Sequence, residues 1–206
     1  MTTNLKEAVL AALAPIAADM AAVEKIIAAE MESDIPRVKE IGRYITSAGG
    51  KRMRPALLIL MARAMGDTSD NAPYFGAVIE ILHTATLMHD DVVDEGKMRR
   101  GRETANARWD NNQAVLVGDF LYTRSFQMMI RQGNLGVMQA LADAANRLSE
   151  GEVLQLTNAG DPETTEERYF AVIERKTACL FEAAAHMAAA FSGAPKAYED
   201  ACAQYA

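Results

Sequence analysis

The sequence predicts an all-α protein, a packed helical bundle. Apolar residues recur at helical spacing along nearly the whole chain. Helix-forming Ala, Leu, Met and Glu dominate, whereas aromatic residues make up 6% and runs of β-branched residues are scarce. Glycine and proline divide the chain into segments of helical length. A dinucleotide-binding α/β fold is not expected, because no G-x-G-x-x-G sequence follows a strand-like segment.

Turn-forming residues predict where the helices begin and end. Breaks are expected at Gly49-Gly50, Gly66-Asp67, Gly96, Gly133-Asn134, Gly160-Asp161-Pro162 and Gly193. The helices between them are predicted over 5–31, 35–47, 53–66, 71–95, 111–131, 134–158, 164–191 and from 195 to the end. With no internal repeat or linker, we expect one helical domain over residues 1–206. The last helix has only begun when the sequence stops, which predicts the N-terminal portion of a longer bundle.

Composition excludes several classes of protein. The chain has 206 residues and a formal net charge of −7, so we expect one domain that does not bind nucleic acid through bulk charge. Cys179 and Cys202 lie too far apart for a structural zinc site or a disulfide framework, which favours a reducing cytoplasm. No uninterrupted apolar stretch approaches the ~18 residues of a membrane span, since Pro15 and Asp19 break the Ala-rich segment 8–23. We therefore expect a cytoplasmic protein without a transmembrane segment.

Two aspartates near the end of the 71–95 helix form the sharpest local signal. Asp90 and Asp94 are four residues apart and share one face of the helix. Stacked carboxylates repel each other, and a helix keeps them most readily when a cation neutralises them; oxygen ligands of this kind suit Mg²⁺. An EF-hand does not fit, because Val92 stands at its second ligand position. The alternative is a solvated acidic helix end, although that arrangement opposes the helix dipole.

Two basic segments flanked by glycine point to a ligand that carries phosphate. Arginine is suited to bidentate phosphate contacts, and a helix N-terminus offers free N–H groups to an anion. The segment 49–55 begins the 53–66 helix and contains Lys51 and Arg54. The segment 96–102 contains four basic residues, Lys97, Arg99, Arg100 and Arg102. The alternatives are a helix start that happens to be basic and a solvated loop that balances the acidic helix end.

Together these residues resemble the trans-type, head-to-tail polyprenyl diphosphate synthases. The matching pieces occur in the order of that family and spread over most of the chain. They are Gly-Gly-Lys-Arg-Met-Arg-Pro at 49–55, His83, Asp-Asp-x-x-Asp at 90–94, Arg99-Arg100-Gly101, Gly118-Asp119-Phe120-Leu121 and Lys176-Thr177. The resemblance is greatest to the long-chain members that make octaprenyl-like tails for respiratory quinones.

The resemblance implies an activity and a role for each matching residue. It implies a prenyltransferase that condenses isopentenyl diphosphate with an allylic diphosphate, such as farnesyl diphosphate, into a long all-trans polyprenyl diphosphate. Catalysis is assigned to Asp90, Asp94 and Lys176, with Asp90 and Asp94 binding Mg²⁺ and Asp91 acting from behind them. The allylic diphosphate is assigned to Arg99, Lys176 and Thr177, and isopentenyl diphosphate to Lys51, Arg54, His83 and Arg100. Members are commonly homodimers, which is the ground for expecting a homodimer here.

The length of the product is also predicted from the resemblance. Bulky aromatic residues about one turn before the first aspartate close the prenyl tunnel in short-chain members. Ala85 and Thr86 are small at that place, which predicts a product longer than C20. Phe126, Met128 and Met129 are candidates for a deeper floor, with ordinary core packing as the alternative.

The sequence departs from the family pattern in one respect, and three functional hypotheses remain to be compared. The family has a second aspartate-rich motif nearer its C-terminus, and nothing after Lys176 matches it. We therefore expect a chain that covers only the N-terminal part of the family fold and that can be inactive alone. The alternative is a non-catalytic subunit or an inactive fragment that binds a partner, but non-catalytic subunits tend to lose the aspartates or the basic anchors, and both are present here. A terpene cyclase would not need Lys51, Arg54 and His83.

Overall fold

The computed structural model describes the backbone of residues 5–206 and the side chains of residues 7–9 and 11–206. Over this range the chain forms eleven α-helices and one two-stranded antiparallel hairpin. The helices are α1 Leu5–Leu13, α2 Ala17–Glu30, α3 Pro36–Thr46, α4 Met53–Ala64, α5 Asn71–Val93, α6 Ala105–Arg108, α7 Asn111–Gln132, α8 Leu135–Asn158, α9 Glu166–Ile173, α10 Cys179–Phe191 and α11 Lys196–Tyr205. The strands are β1 Met98–Arg99 and β2 Arg102–Glu103. A 3₁₀ turn covers Ala14–Ile16, and a π-helical turn covers Glu174–Ala178.

Helix α5 lies at the centre of the bundle. Its sequence is apolar around most of its circumference, and α2, α4, α7 and α10 pack against it. Phe75, Ile79 and Leu82 are among its fully buried side chains. The approach of α7 is close because Gly118 lacks a side chain: a Cβ at this position would lie 2.5 Å from Nε2 of His89. This packing holds the C-terminal half of α5 in a fixed position among its neighbours.

The predicted all-α fold is confirmed, with three differences in detail. Pro15 divides the predicted helix 5–31 into α1, the 3₁₀ turn and α2, because proline cannot donate the helical N–H bond. The predicted helix 164–191 contains the π turn between α9 and α10. The hairpin and the short helix α6 were not predicted, because two-residue strands carry too little periodicity to recognise.

Capping residues explain several helix boundaries. The side chains of Asp110, Asn134 and Thr165 accept backbone N–H bonds at the starts of α7, α8 and α9. Gly133 ends α7 in the left-handed conformation, with φ 65°. In the part of the chain that the structure describes, no helix is both long and apolar enough to cross a membrane. The prediction of a single domain reaches back to residue 1, and residues 1–4 lie outside the described part.

Candidate active site

The carboxylates predicted to bind a cation lie at the C-terminal end of α5. Asp94 is the residue that follows α5, and its N–H donates to the carbonyl of Asp90 over 2.8 Å. Helical geometry therefore continues through Asp94, and the two carboxylates occupy successive turns of one face, as predicted. The side chain of Asp90 is 14% exposed, whereas Asp94 is exposed. Burial, helped by the negative charges of Glu152 and Asp94, raises the pKa of Asp90 to about 6.

Lys176 reaches Asp90 from the π turn. Its Nζ lies 2.7 Å from Oε2 of Glu152 and 3.7 Å from Oδ2 of Asp90. Isolated π turns occur often at functional sites, because the extra residue turns side chains to new directions. A Cβ on Gly151 would lie 2.7 Å from Cβ of Arg175, so glycine is needed for α8 to approach this turn. Lys176 thus lies between α5 and α8, beside the predicted cation ligands.

Glu152 is a residue of this site that sequence reasoning did not assign. It lies on α8, hydrogen-bonds to Lys176 and contributes to raising the pKa of Asp90. The sequence did contain a signal for Glu152, because a charged residue follows a glycine, Gly151, on an otherwise apolar helix face. A glycine there allows another helix to approach closely, and the charge is then held at the contact. Thr177, predicted beside Lys176, is exposed, and it lines a second depression together with Lys176 and Gln155.

Asp91 and Arg99 form a partly buried ion pair at the back of the carboxylate cluster. Nε of Arg99 lies 2.8 Å from Oδ1 and 3.0 Å from Oδ2 of Asp91, which is only 6% exposed. Asp91 thus holds the hairpin that carries Arg99. This contact agrees with the expectation that Asp91 acts from behind Asp90 and Asp94. Asn106, on α6 just after the hairpin, donates its side-chain amide to the carbonyls of Asp91 over 3.0 Å and Gly96 over 3.1 Å and so joins α6 to the end of α5.

The donor set at the end of α5 fits a hydrated divalent cation. Within residues 5–206, no three carboxylate, imidazole or thiol groups lie close enough together to enclose a metal ion. Asp90 and Asp94 supply only oxygen donors; burial, followed by the negative charge of Glu152, raises the pKa of Asp90, and Lys176 opposes the shift without cancelling it. Magnesium keeps several of its water ligands and shares phosphate oxygens, so two carboxylates on one face can serve it.

Arg54, Arg100 and His83, three of the predicted isopentenyl diphosphate residues, lie close to one another, and His83 is two turns before Asp90 on α5. Arg100 lies against the loop before α4, where a Cβ on Gly50 would lie 2.7 Å from its Nη1. Arg54, in the first turn of α4, stacks over the ring of Phe181 at 4.6 Å, and its buried Nε has no hydrogen-bond partner among the residues that the structure describes. Lys51 is exposed in the loop before α4, three residues before Arg54. We call Lys51, Arg54, His83 and Arg100 the basic pocket.

His83 is neutral in the basic pocket. Burial lowers its pKa to about 3, and the positive charges of Arg54, Arg100, Arg99 and Arg52 add to the effect. A neutral imidazole offers one donor and one acceptor, so His83 can donate to a phosphate oxygen without a proton from solvent. The concentration of guanidinium charge around one uncharged ring is the electrostatic pattern of a site for an anion.

An apolar cavity of about 290 Å³ opens beside Asp90 between α5, α7 and α8. Thr86, one turn before Asp90, lines it as predicted, together with Tyr122 and Leu148. Phe126 stacks on Tyr122, with ring centroids 5.2 Å apart, and so lies behind the lining. Tyr122 was not predicted, although it lies one turn before Phe126 on the same helix. Ala85, Met128 and Met129 are core residues that do not line this cavity.

Comparison with known proteins identifies the family. A model of the polyprenyl synthetase family matches residues 35–206. This chain belongs to the polyprenyl synthetase family. It is 51% identical over 177 residues to an octaprenyl diphosphate synthase of Escherichia coli, which covers 86% of this chain and 55% of that protein.

Two solved polyprenyl synthetase structures share the fold. One is a decaprenyl diphosphate synthase from Rhodobacter capsulatus, with a TM-score of 0.91 and 47% identity, over 94% of this chain and 60% of that one. The other is a polyprenyl synthase from Caulobacter crescentus complexed with calcium and isoprenyl diphosphate, with a TM-score of 0.91 and 38% identity, over 94% of this chain and 59% of that one. The chain therefore spans little more than half the length of the relatives it matches.

Proposed function

We propose that this chain is the substrate-binding part of a long-chain polyprenyl diphosphate synthase. It would condense isopentenyl diphosphate with an allylic diphosphate such as farnesyl diphosphate. The observation that carries this proposal is the arrangement along α5. His83, in the basic pocket, precedes Asp90, in the carboxylate cluster, by seven residues, which is about 10 Å along a helix. One rigid element thus positions an anion site, a cation site and an apolar cavity.

Mg²⁺ is the proposed cation, with Asp90 and Asp94 as its protein ligands. When bound, it would neutralise the charge that develops on a departing diphosphate. The polyprenyl synthase from Caulobacter crescentus was solved with calcium and isoprenyl diphosphate together, which supports a divalent cation beside a prenyl diphosphate in this family. Lys176, Thr177 and Arg99 would hold the allylic diphosphate from the two sides of the cluster.

The basic pocket is the proposed site of isopentenyl diphosphate. Arg54, Arg100 and the exposed Lys51 would bind its phosphate oxygens through charge-assisted hydrogen bonds. Neutral His83 would donate one further hydrogen bond and orient the substrate toward the end of α5. The Nε of Arg54, unpartnered among the described residues, supports this assignment, because a buried donor without a partner is costly in the absence of a ligand.

The proposed reaction needs charge stabilisation and orientation from the chain. The C1–O bond of the allylic diphosphate breaks, giving an allylic cation and pyrophosphate. The double bond of isopentenyl diphosphate attacks C1, and the new carbocation loses a proton to form the double bond of the product. Pyrophosphate is the proposed base, so no side chain has to act as one. The ammonium of Lys176 stabilises the leaving group, and the apolar walls beside Thr86 keep water from the cation.

The product is proposed to be a long polyprenyl diphosphate for quinone side chains. Thr86, a small residue, lines the cavity, and the octaprenyl diphosphate synthase of Escherichia coli is 51% identical to this chain. We further propose a homodimer that works in the cytoplasm. The alternative of a non-catalytic subunit is not favoured, since the chain retains both the carboxylate cluster and the basic pocket.

The test combines turnover with binding by the same chain. The chain is incubated with farnesyl diphosphate, labelled isopentenyl diphosphate and Mg²⁺, and any products that form should be longer than C20. Asp90→Asn should abolish them, whereas Asp200→Asn, at a 61% exposed aspartate of α11, should not. Isothermal titration in EDTA should show that isopentenyl diphosphate binds and that Arg54→Gln abolishes binding. The proposal fails if the folded chain neither makes products nor binds isopentenyl diphosphate.

A further inference from the structure

A buried arginine that the proposed reaction does not use lies next to the basic pocket. Arg52 is 8% exposed and adopts a left-handed conformation, with φ 50°, directly before α4. A non-glycine residue keeps this conformation when the contacts of its side chain and surroundings hold it there. Lys51, the preceding residue, is exposed. The turn therefore buries one cation of the segment and leaves its neighbour at the surface.

The guanidinium of Arg52 is occupied by two glutamates. Its Nε and Nη2 donate to the carboxylate of Glu24 over 2.6 and 3.1 Å, and its Nη1 donates to Oε1 of Glu80 over 2.7 Å. Nη2 also lies 3.3 Å from the carbonyl of Thr46. Two carboxylates balance one guanidinium, so Arg52 has no positive charge left for a ligand.

Glu80 is a buried carboxylate that can compete with a ligand for the guanidinium groups of the basic pocket. It is 3% exposed on α5, one turn before His83, and among the described residues Arg52 is its one ion-pair partner. Burial lowers the pKa of both Arg54 and Arg100, and the negative charge of Glu80 opposes that lowering in each case. Glu80 therefore acts electrostatically on the same two guanidiniums that are proposed to bind a diphosphate.

We propose that Arg52 is a positioning residue that sequesters Glu80 and so keeps Arg54 and Arg100 free for the diphosphate ligand. This role rests on the proposed function, because the ligand concerned is the one assigned to the basic pocket. A buried carboxylate without a partner is strongly unfavourable. If Arg52 is removed, Glu80 takes a guanidinium of the pocket as its new partner, and the ligand has to displace it.

The role is tested by removing the two charges separately and together. Affinity for isopentenyl diphosphate is measured by isothermal titration in EDTA, with folding followed by circular dichroism. Arg52→Met should weaken binding at least about tenfold, because an internal carboxylate competes for charge-assisted bonds. Arg52→Met combined with Glu80→Gln should restore the wild-type affinity. Arg63→Met is the matched control, because Arg63, in the last turn of α4, likewise forms a partly buried ion pair, with Asp19.

Each outcome decides the role of Arg52. An unchanged affinity in Arg52→Met overturns it, and so does a folded double variant that binds as weakly as the single one, since Arg52 would then contact the ligand itself. If Arg52→Met fails to fold, the double variant decides alone: wild-type affinity supports the role, and weaker binding overturns it. If the wild-type chain does not bind isopentenyl diphosphate, the assignment of the basic pocket fails instead.

Discussion

The ammonium of Lys176 lies 2.7 Å from Oε2 of Glu152, across the gap between the π turn and α8. Burial lowers the pKa of Lys176, but the hydrogen bond to Glu152 and the charge of Asp90 outweigh this effect and raise it. The pair thus holds a cation beside Asp90 before any ligand arrives. When a diphosphate binds, Lys176 can exchange one anionic partner for another with little movement.

Glu152→Gln should lower the pKa of Asp90 from its value of about 6. Glu152 contributes negative charge to that shift, and its removal also lets Lys176 approach Asp90 more closely. The pKa is measured by ¹³C NMR of the Asp90 carboxyl carbon. Glu150→Gln is the control, because Glu150 is exposed on the same helix. Equal titration of Asp90 in both variants would contradict the electrostatic coupling.

Asp90→Asn should stabilise the metal-free chain above pH 6. The raised pKa means that the folded state binds the proton of Asp90 more tightly than the unfolded state, so stability falls as pH rises from about 4 to about 6. Above pH 6 the buried charge costs on the order of 3 kcal/mol, which the amide avoids. Urea unfolding at pH 7.5 in EDTA measures the difference. Asp94→Asn, at an exposed carboxylate, should show no such gain.

His83→Gln should make the chain less sensitive to acid. The folded pKa of about 3 lies below the usual value of 6.5, so the unfolded state binds more protons between these values. The contribution of neutral His83 to the free energy of unfolding is fully present above pH 6.5. It is lost as the pH falls, and about 2 kcal/mol of it is gone at pH 5. Asp90 has the opposite slope over part of this range, so stability against pH is best recorded in the Asp90→Asn background, with and without His83→Gln. Parallel curves for these two chains would rule out the buried neutral imidazole.

Gly151→Ala should destabilise the chain, although alanine ordinarily favours a helix over glycine by about 1 kcal/mol. The new Cβ would lie 2.7 Å from Cβ of Arg175 and 2.9 Å from the backbone nitrogen of Lys176. Neither atom belongs to a flexible side-chain end, so the π turn has to move. Thermal unfolding should show a clear loss for this variant and a smaller one for Gly136→Ala, whose Cβ would meet Ala190 at 3.1 Å. A stabilised Gly151→Ala chain would refute the close approach.

Thr86→Phe should shorten the prenyl products. Thr86 lines the cavity one turn from Asp90, and a phenyl ring there would fill much of its volume of about 290 Å³. Chromatography of the dephosphorylated products measures the chain length. Thr123→Phe is the matched control, because Thr123 is exposed on α7 outside the cavity lining. Unchanged products from Thr86→Phe would place the growing chain elsewhere.

The helices and the residue types of the site could be predicted from the sequence, but the connections between elements could not. The pair Asp90 and Asp94 needs only helical spacing, so its common face was predictable. The contacts of Glu152 with Lys176 and of Arg52 with Glu80 join residues 24 and 28 positions apart. Such contacts depend on how helices pack, and a single sequence carries no periodic signal for them.

The π turn has a consequence for how α9 and α10 are related. One additional residue in a helix rotates everything that follows it by about 100°. The apolar stripe of α10 therefore follows a different phase from that of α9, and no single helical wheel describes both. Deleting one residue from 174–178 would restore regular winding and turn the side chains of α9 to other faces relative to the buried α10. The number of residues in this segment therefore sets how α9 and α10 face each other, and a one-residue deletion there would be far more disruptive than most substitutions.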